Sequence, residues 1–176
     1  VNVFLPRKLS YCCKTLKIKF VHISTDHLFN GKNSFYDEES AVQPLNYYAL
    51  TKYRGENAVL EENIDSLIIR TNFFGWGPRY RISFSDFVIN SLRLGKKIYL
   101  FEDVYFNPIL ISELVDKIHK LIHIEASGIF NIVSDEKITK LDFGLIISEI
   151  FQLDKSLIYK SSIAKSNLSV PRPKDM

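Results

Sequence analysis

Tyr48 and Lys52 stand four residues apart in NYYALTKYRGE, residues 46 to 56. On a helix that spacing places both side chains on one face. A phenol with a pKa near 10 is a poor acid or base at neutral pH, and a neighbouring ammonium favours its ionised form. A tyrosine so paired can serve as a general acid–base. The spacing alone carries little weight: nine tyrosines and sixteen lysines in 176 residues give about one Tyr-x-x-x-Lys pair by chance, and one is present. Taken by itself it reads as a surface helix pair. Ser24, Thr25 and Asp26 form a second candidate group, directly after the apolar run IKFVHIST, residues 18 to 25. Ligands of open parallel sheets bind at the carboxyl ends of strands, where a hydroxyl can meet a carbonyl oxygen. Ser-Thr-Asp alone also suits a cap or a turn. The ordered combination of strand, Ser-Thr-Asp, long loop and a helix carrying Tyr-x-x-x-Lys is rarer than either part.

The elements that must hold these groups alternate. VFLPRKLSYCCKTL, residues 3 to 16, has helical periodicity, and IKFVHIST is β-branched and apolar enough for a strand buried on both faces. A loop with Asn30-Gly31 as its turn signal follows, and Pro44 is expected to start a helix reaching about Asn63. SLIIRT, 66 to 71, is a second short buried strand, followed by the turn-rich NFFGWGPRYR. Helix, strand, helix, strand with crossover connections argues for an α/β fold with a parallel sheet. Further on, a helix over 83 to 94 stops at Gly95, and KIYLF (97 to 101) and FNPILI (106 to 111) read as strands. A helix over 112 to 124 has Ser112 as its expected N-cap, GIFNIV (128 to 133) is a strand, and a helix over 139 to 151 is capped by Thr139. The tail SSIAKSNLSVPRPKDM is polar and contains proline.

Composition narrows the function classes. With 46% hydrophobic and 24% charged residues the chain is ordinary globular material, long enough for one real core or most of a two-lobed unit. The 23 basic and 20 acidic residues leave a charge of +3, scattered without a basic block, so nucleic acid is not an expected partner. Cys12 and Cys13 are adjacent, which makes neither a Cys-x-x-Cys site nor a disulfide framework and fits a reducing cytoplasm. No membrane-length apolar run and no signal-peptide pattern is present, so a soluble cytoplasmic protein is expected. The chain opens with Val1 in a helical pattern, as a processed or truncated piece would. No His, Cys and carboxylate cluster has metal-ligand spacing; His119 and His123 lack the intervening glutamate of a zinc helix and read as a solvated face. The aromatics Phe73, Phe74 and Trp76 read as a turn packed on the core in preference to a nucleic-acid stacking surface, and Asp103, Tyr105 and Asn107 are weaker candidates for a lobe interface.

VHISTDHLFNG, PLNYYALTKYRGE, IIRTNFFGWG and the late RPKDM, in that order over almost the whole chain, resemble the sugar-nucleotide branch of the extended short-chain dehydrogenase/reductases. Within it the chain is most similar to the dTDP-4-dehydrorhamnose reductases. The resemblance implies a Rossmann-type parallel sheet interleaved with a smaller substrate-binding lobe, and an enzyme using NADPH or NADH to reduce a nucleotide-linked 4-keto-6-deoxy sugar in polysaccharide synthesis. It makes Tyr48 the general acid for the keto oxygen, Lys52 its partner and the holder of the nicotinamide ribose, and Thr25 a donor to the same oxygen. Ser24 and Asn72 fall on the cofactor side. Asp26, Phe73 and Arg172 fall on the substrate side, Arg172 where it would meet a pyrophosphate bidentately. The implied division is 1–74 with 107–124 as the later part of the Rossmann domain, and 75–106 with 125–176 as the substrate lobe. A nucleotide sugar is the implied partner, and a homodimer is compatible with it.

Three features depart from the family pattern. His27 stands where tyrosine usually follows Ser-Thr-Asp, and Ala49 stands where glycine usually follows the tyrosine. The glycines at 31, 55, 75, 77, 95, 128 and 144 build no Gly-rich dinucleotide turn. The expectation is therefore an N-terminally truncated catalytic half. Two other functions stay open at this point: a regulatory or binding protein on the same scaffold, like the methionine adenosyltransferase beta subunit, and a sugar-nucleotide epimerase or dehydratase using the same tyrosine and lysine.

Overall fold

A computed structural model describes residues 1–78, 80–166 and 169–175. Arg79 of the aromatic turn, Asn167 and Leu168 of the tail, and Met176 of RPKDM lie outside the described residues. The chain begins with α1 (Phe4–Thr15) and β1 (Val21–Ile23), then α2 (Tyr47–Glu62) and β2 (Leu67–Arg70). It continues through β3 (Phe73–Phe74), α3 (Phe84–Arg93), β4 (Ile98–Phe101), β5 (Tyr105–Phe106), β6 (Ile109–Leu110) and α4 (Ile111–His123). β7 (Gly128–Asn131), β8 (Ile138–Thr139), α5 (Lys140–Ile150) and β9 (Ile158–Ser161) complete it.

The expected parallel sheet is present, in the order β1-β2-β7, with Val21 opposite Leu67 and Leu67 opposite Gly128. All four residues of β2 are buried, as the central strand of a sheet covered on both faces must be. β7 corrects the expected division: residues 125–176 are not wholly a separate lobe, because 128–131 pair with β2 in this sheet. Strand order joins segments remote in sequence, so local periodicity carries no trace of it. The remaining strands form short pairs, β3 with β6, β4 with β9, and an antiparallel β5 with β8.

Two apolar clusters result. One gathers Leu67, Ile69, Ile109, Leu114 and Ile132 around the main sheet and α4. The other packs Val88, Ile89 and Leu92 of α3 and Leu141, Phe143 and Ile147 of α5 against Ile98, Leu100 and Phe106. Phe143 meets Phe74 edge-on at 5.1 Å and Phe106 at 5.4 Å. Of the three aromatics expected in a packed turn, only Phe74 joins this cluster; Phe73 and Trp76 are exposed. Helix signals explain most boundaries. Ser83 and Asp86 form a reciprocal capping box, Thr139 caps α5, and Gly95, at φ +65, ends the turn after α3. Two expected starts are displaced. Asn46, not Pro44, opens α2, its side chain accepting from the Ala49 N–H, and α4 follows β6 so closely that Leu110 stands at the cap position without a side-chain bond.

Candidate active site

The site begins where β1 runs out. The Ser24 N–H donates to the Ile69 carbonyl at 2.6 Å, holding the chain beside β2 for one residue beyond the strand. Ser24, Thr25 and Asp26 are all buried there. Asp26 is the organiser: Asn72 Nδ2 donates to one carboxylate oxygen at 2.8 Å and Thr25 Oγ1 to the other at 3.3 Å. His27 Nε2 is 3.9 Å from Asp26, and burial lowers the imidazole pKa despite that carboxylate. The Ser24 hydroxyl is buried with no hydrogen-bond partner among the described residues.

α2 brings the second half. Its cap residue Asn46 also donates from Nδ2 to the Pro171 carbonyl at 3.0 Å, which fastens the start of the helix to the C-terminal segment. Tyr48, in the first turn, is 51% exposed. One turn later Lys52 reaches under the helix to donate to the Ile23 carbonyl at 2.6 Å, and burial lowers its pKa against the opposing pull of Glu56. Gly55 lets α2 approach closely, since a Cβ there would strike the Asn2 carbonyl. Beneath Lys52, His22 is buried with Nε2 unpartnered, its pKa lowered to about 4 by burial first and by the Lys52 charge second.

The C-terminal segment closes the third side. Pro173 is fully buried, Tyr105 N–H donates to the Lys174 carbonyl at 2.7 Å, and Ser34 Oγ donates to Asp175 at 2.7 Å. These ties bring Arg172 onto a cavity of about 250 Å³ that His27 and Lys140 also line. Ser24, Thr25, Asp26, Lys52 and Asn72 thus meet at one strand end, Tyr48 stands on the same helix as Lys52, and Arg172 belongs to the neighbouring cavity. Phe73 follows Asn72 in β3 and is half-exposed. Asp103, Tyr105 and Asn107 do structural work: Asp103 accepts from Ser162 and from the Ile163 N–H, and Asn107 holds the Ser134 carbonyl. Sequence reasoning passed over Lys140 and Asn46. Asn46 was detectable as an asparagine three residues before an amide it can cap, whereas Lys140 carried no signal.

The arrangement suits proton delivery to an oxygen held between a phenol and a hydroxyl. It also fits the nicotinamide ribose end of a dinucleotide, because the orphaned Ser24 hydroxyl and the Lys52 ammonium offer polar contacts beside the open Tyr48 face. A pyrophosphate cradle of glycines is not found in this sequence.

A family model described as the RmlD substrate binding domain matches residues 1–176. The probable low-salt glycan biosynthesis reductase Agl14 of Haloferax volcanii is 32% identical over 179 residues, covering 99% of this chain and 59% of that protein. Among solved structures, a hypothetical dTDP-4-dehydrorhamnose reductase from Sulfolobus tokodaii is 31% identical with a TM-score of 0.85, over 99% of this chain and 60% of its own. The dTDP-4-dehydrorhamnose reductase of Bacillus anthracis in complex with NADP is 25% identical with a TM-score of 0.91, over 99% and 62%. The α/β Rossmann-type class expected from the sequence is therefore the observed fold, and this chain spans about 60% of the length of the proteins it matches.

Proposed function

We infer the function from one established premise: the chain belongs to the RmlD substrate binding domain family. We propose that it acts in the reduction of a nucleotide-linked 4-keto-6-deoxy sugar by NADPH or NADH. The observation that supports this reading is the Lys52 bond to the Ile23 carbonyl, which ties the helix that also carries Tyr48 to the strand end leading into the buried Ser24-Thr25-Asp26 turn. The relatives support the same chemistry: a probable glycan biosynthesis reductase, a hypothetical dTDP-4-dehydrorhamnose reductase, and a dTDP-4-dehydrorhamnose reductase in complex with NADP.

When bound, the nicotinamide supplies a hydride to the carbonyl carbon. Tyr48 gives its phenolic proton to the oxygen of that carbonyl, so that an alcohol forms, and recovers a proton from solvent afterwards. Lys52 stabilises the negative charge left on the phenolic oxygen and holds the ribose. Thr25, turning its hydroxyl from Asp26, donates to the same keto oxygen. Ser24 and Asn72 stand on the cofactor side; Asp26, Phe73 and Arg172 stand on the substrate side, with Arg172 taking up phosphate charge. The cluster built from α3, β4 and α5 forms the substrate lobe of this reading. The two free cysteines, and the lack of any membrane-length apolar helix among the described residues, support a cytoplasmic setting.

The test is oxidation of NADPH or NADH with a dTDP-4-keto-6-deoxy sugar, wild type against Tyr48→Phe. Loss of about 100- to 10,000-fold in turnover is expected for the phenylalanine variant. Undiminished turnover in that variant would remove Tyr48 from the mechanism.

A further inference from the structure

His27 stands after Ser-Thr-Asp, where the family pattern has tyrosine, and the proposed reaction gives it no part. It touches the Thr25-Asp26 pair twice. Its backbone N–H donates to Thr25 Oγ1 at 3.3 Å, and its ring Nε2 lies 3.9 Å from Asp26 Oδ1. That same carboxylate oxygen accepts the Thr25 hydroxyl at 3.3 Å. Asn72 pins the other oxygen, Oδ2, at 2.8 Å, so only Oδ1 is contested. A hydroxyl has one proton to donate. While Thr25 gives it to Asp26, it cannot give it to a keto oxygen. The ring is poised to compete: a charge-assisted N–H···O bond measures about 2.7–2.9 Å, so closure on Asp26 takes about 1 Å of movement. Space for that movement exists, since the His27 side chain is 26% exposed and borders a cavity of about 250 Å³.

We propose that His27 is a positioning residue for Thr25: as an imidazolium it closes on Asp26 Oδ1 and turns the Thr25 hydroxyl over to the keto oxygen, and as a neutral ring it leaves that hydroxyl on Asp26. This rests on the reductase reading. A cation beside Asp26 Oδ1 offsets the carboxylate charge and weakens its hold on a neutral donor, while the Asn72 bond keeps the carboxylate in place. Tyrosine has no cationic form, so the device belongs to the histidine.

The charged and titratable groups facing the ring are Asp26 in its own turn, Lys140 at the start of α5, Arg172 of the C-terminal segment and Tyr99 of β4. Burial lowers the imidazole pKa from 6.5, Asp26 opposes that, and Lys140 and Arg172 add to it. The ring is therefore mostly neutral at pH 7 and takes up its proton below pH 6.5. Lys140, lowered to about 8 by burial first, is already charged at pH 7, and His22 stays neutral until about pH 4. Both hold nearly one state between pH 7 and pH 5, which isolates His27.

The experiment is an NMR titration of the histidine Cε1–H signals of this chain, with His27→Tyr identifying the His27 signal among the four histidines. Thr25→Val deletes the competing donor, so the His27 pKa should rise by about half a unit to one unit, while Thr25→Ser, which retains a hydroxyl, should keep it at the wild-type value. A histidine that merely sits beside a carboxylate would not respond to Thr25→Val. The second readout is turnover. The ratio of kcat at pH 5 to kcat at pH 7 should be about tenfold higher in wild type than in His27→Tyr, with KM moving little, because the freed hydroxyl acts on the transition state. An unmoved or lowered His27 pKa in Thr25→Val, or equal pH profiles of wild type and His27→Tyr, would each overturn the proposal. Should Thr25→Val fold poorly, Thr25→Ala makes the same deletion. The titration needs no turnover, so failure of the reductase reading shows separately, as turnover that survives Tyr48→Phe.

Discussion

Lys52 Nζ donates a 2.6 Å hydrogen bond to the carbonyl oxygen of Ile23, the last residue of β1. That bond ties the helix bearing Tyr48 to the strand end bearing Thr25. In the proposed reaction this tie holds Tyr48 in place relative to Thr25. The ammonium keeps two further donors for a ligand.

Lys52→Met removes both the tie and the charge. In the proposed reaction turnover should fall by about 100- to 10,000-fold. Stability should fall by only about 1 kcal/mol, the net worth of one such hydrogen bond. Steady-state kinetics beside a urea melt measure the two effects on one sample. A variant that loses all its stability and activity together would show a structural lysine.

Much of this arrangement is legible before any coordinates. The buried apolar runs around 21–23 and 67–70 mark parallel strands, and the cap at Thr139 and stop at Gly95 are local chemistry. What escapes is non-local. The strand at 128–131 joins the main sheet through pairing with β2, some sixty residues earlier in the chain. Lys140 is an ordinary lysine at a helix start until Phe84, Phe106 and Arg172 are folded around it. Pro44 looks like a first-turn residue, but Asn46 takes the cap because its side chain accepts from Ala49 and also grips Pro171.

Glu56 and Arg70 form an ion pair that is 1% and 3% exposed, with Arg70 Nη2 2.8 Å from Glu56 Oε2 and Arg70 Nε 3.2 Å from both carboxylate oxygens. Arg70→Met strands a buried carboxylate and should cost about 3–5 kcal/mol. The double variant Arg70→Met with Glu56→Leu should recover most of that loss. Urea denaturation of the three proteins checks both statements, and a double variant no better than the single would assign the cost to packing.

Gly31 has φ +69, and a Cβ there would lie 2.6 Å from the Lys174 backbone nitrogen and 2.7 Å from Pro173 Cβ. Gly31→Ala should therefore push the C-terminal strap outward and carry Arg172 away from its cavity. Weaker binding of thymidine diphosphate is expected, with a stability loss of only about 1–2 kcal/mol from the strained backbone. Calorimetry at constant pH, compared with the thermal melt, separates the two. Unchanged affinity would mean that the strap can shift without moving Arg172.

His22 makes the fold sensitive to acid in a window set by its own titration. In the folded chain its pKa is lowered to about 4, by burial and then by Lys52, while the unfolded imidazole titrates near its ordinary 6.5. Above pH 6.5 the ring is neutral in both states and contributes no pH dependence. As the pH falls below that value the unfolded chain takes up a proton that the folded chain refuses, so stability declines until about pH 4 and then levels off. Between pH 7 and pH 5 this one group should remove about 2 kcal/mol. Carboxylates contribute to the same slope, so the measurement is a difference: unfolding free energy at the two pH values for wild type and for His22→Phe, which keeps an aromatic ring beside Phe20. The variant should lose about 2 kcal/mol less on acidification. Equal losses in the two proteins would mean that His22 gains a proton while folded, with Lys52 moving aside to let it do so.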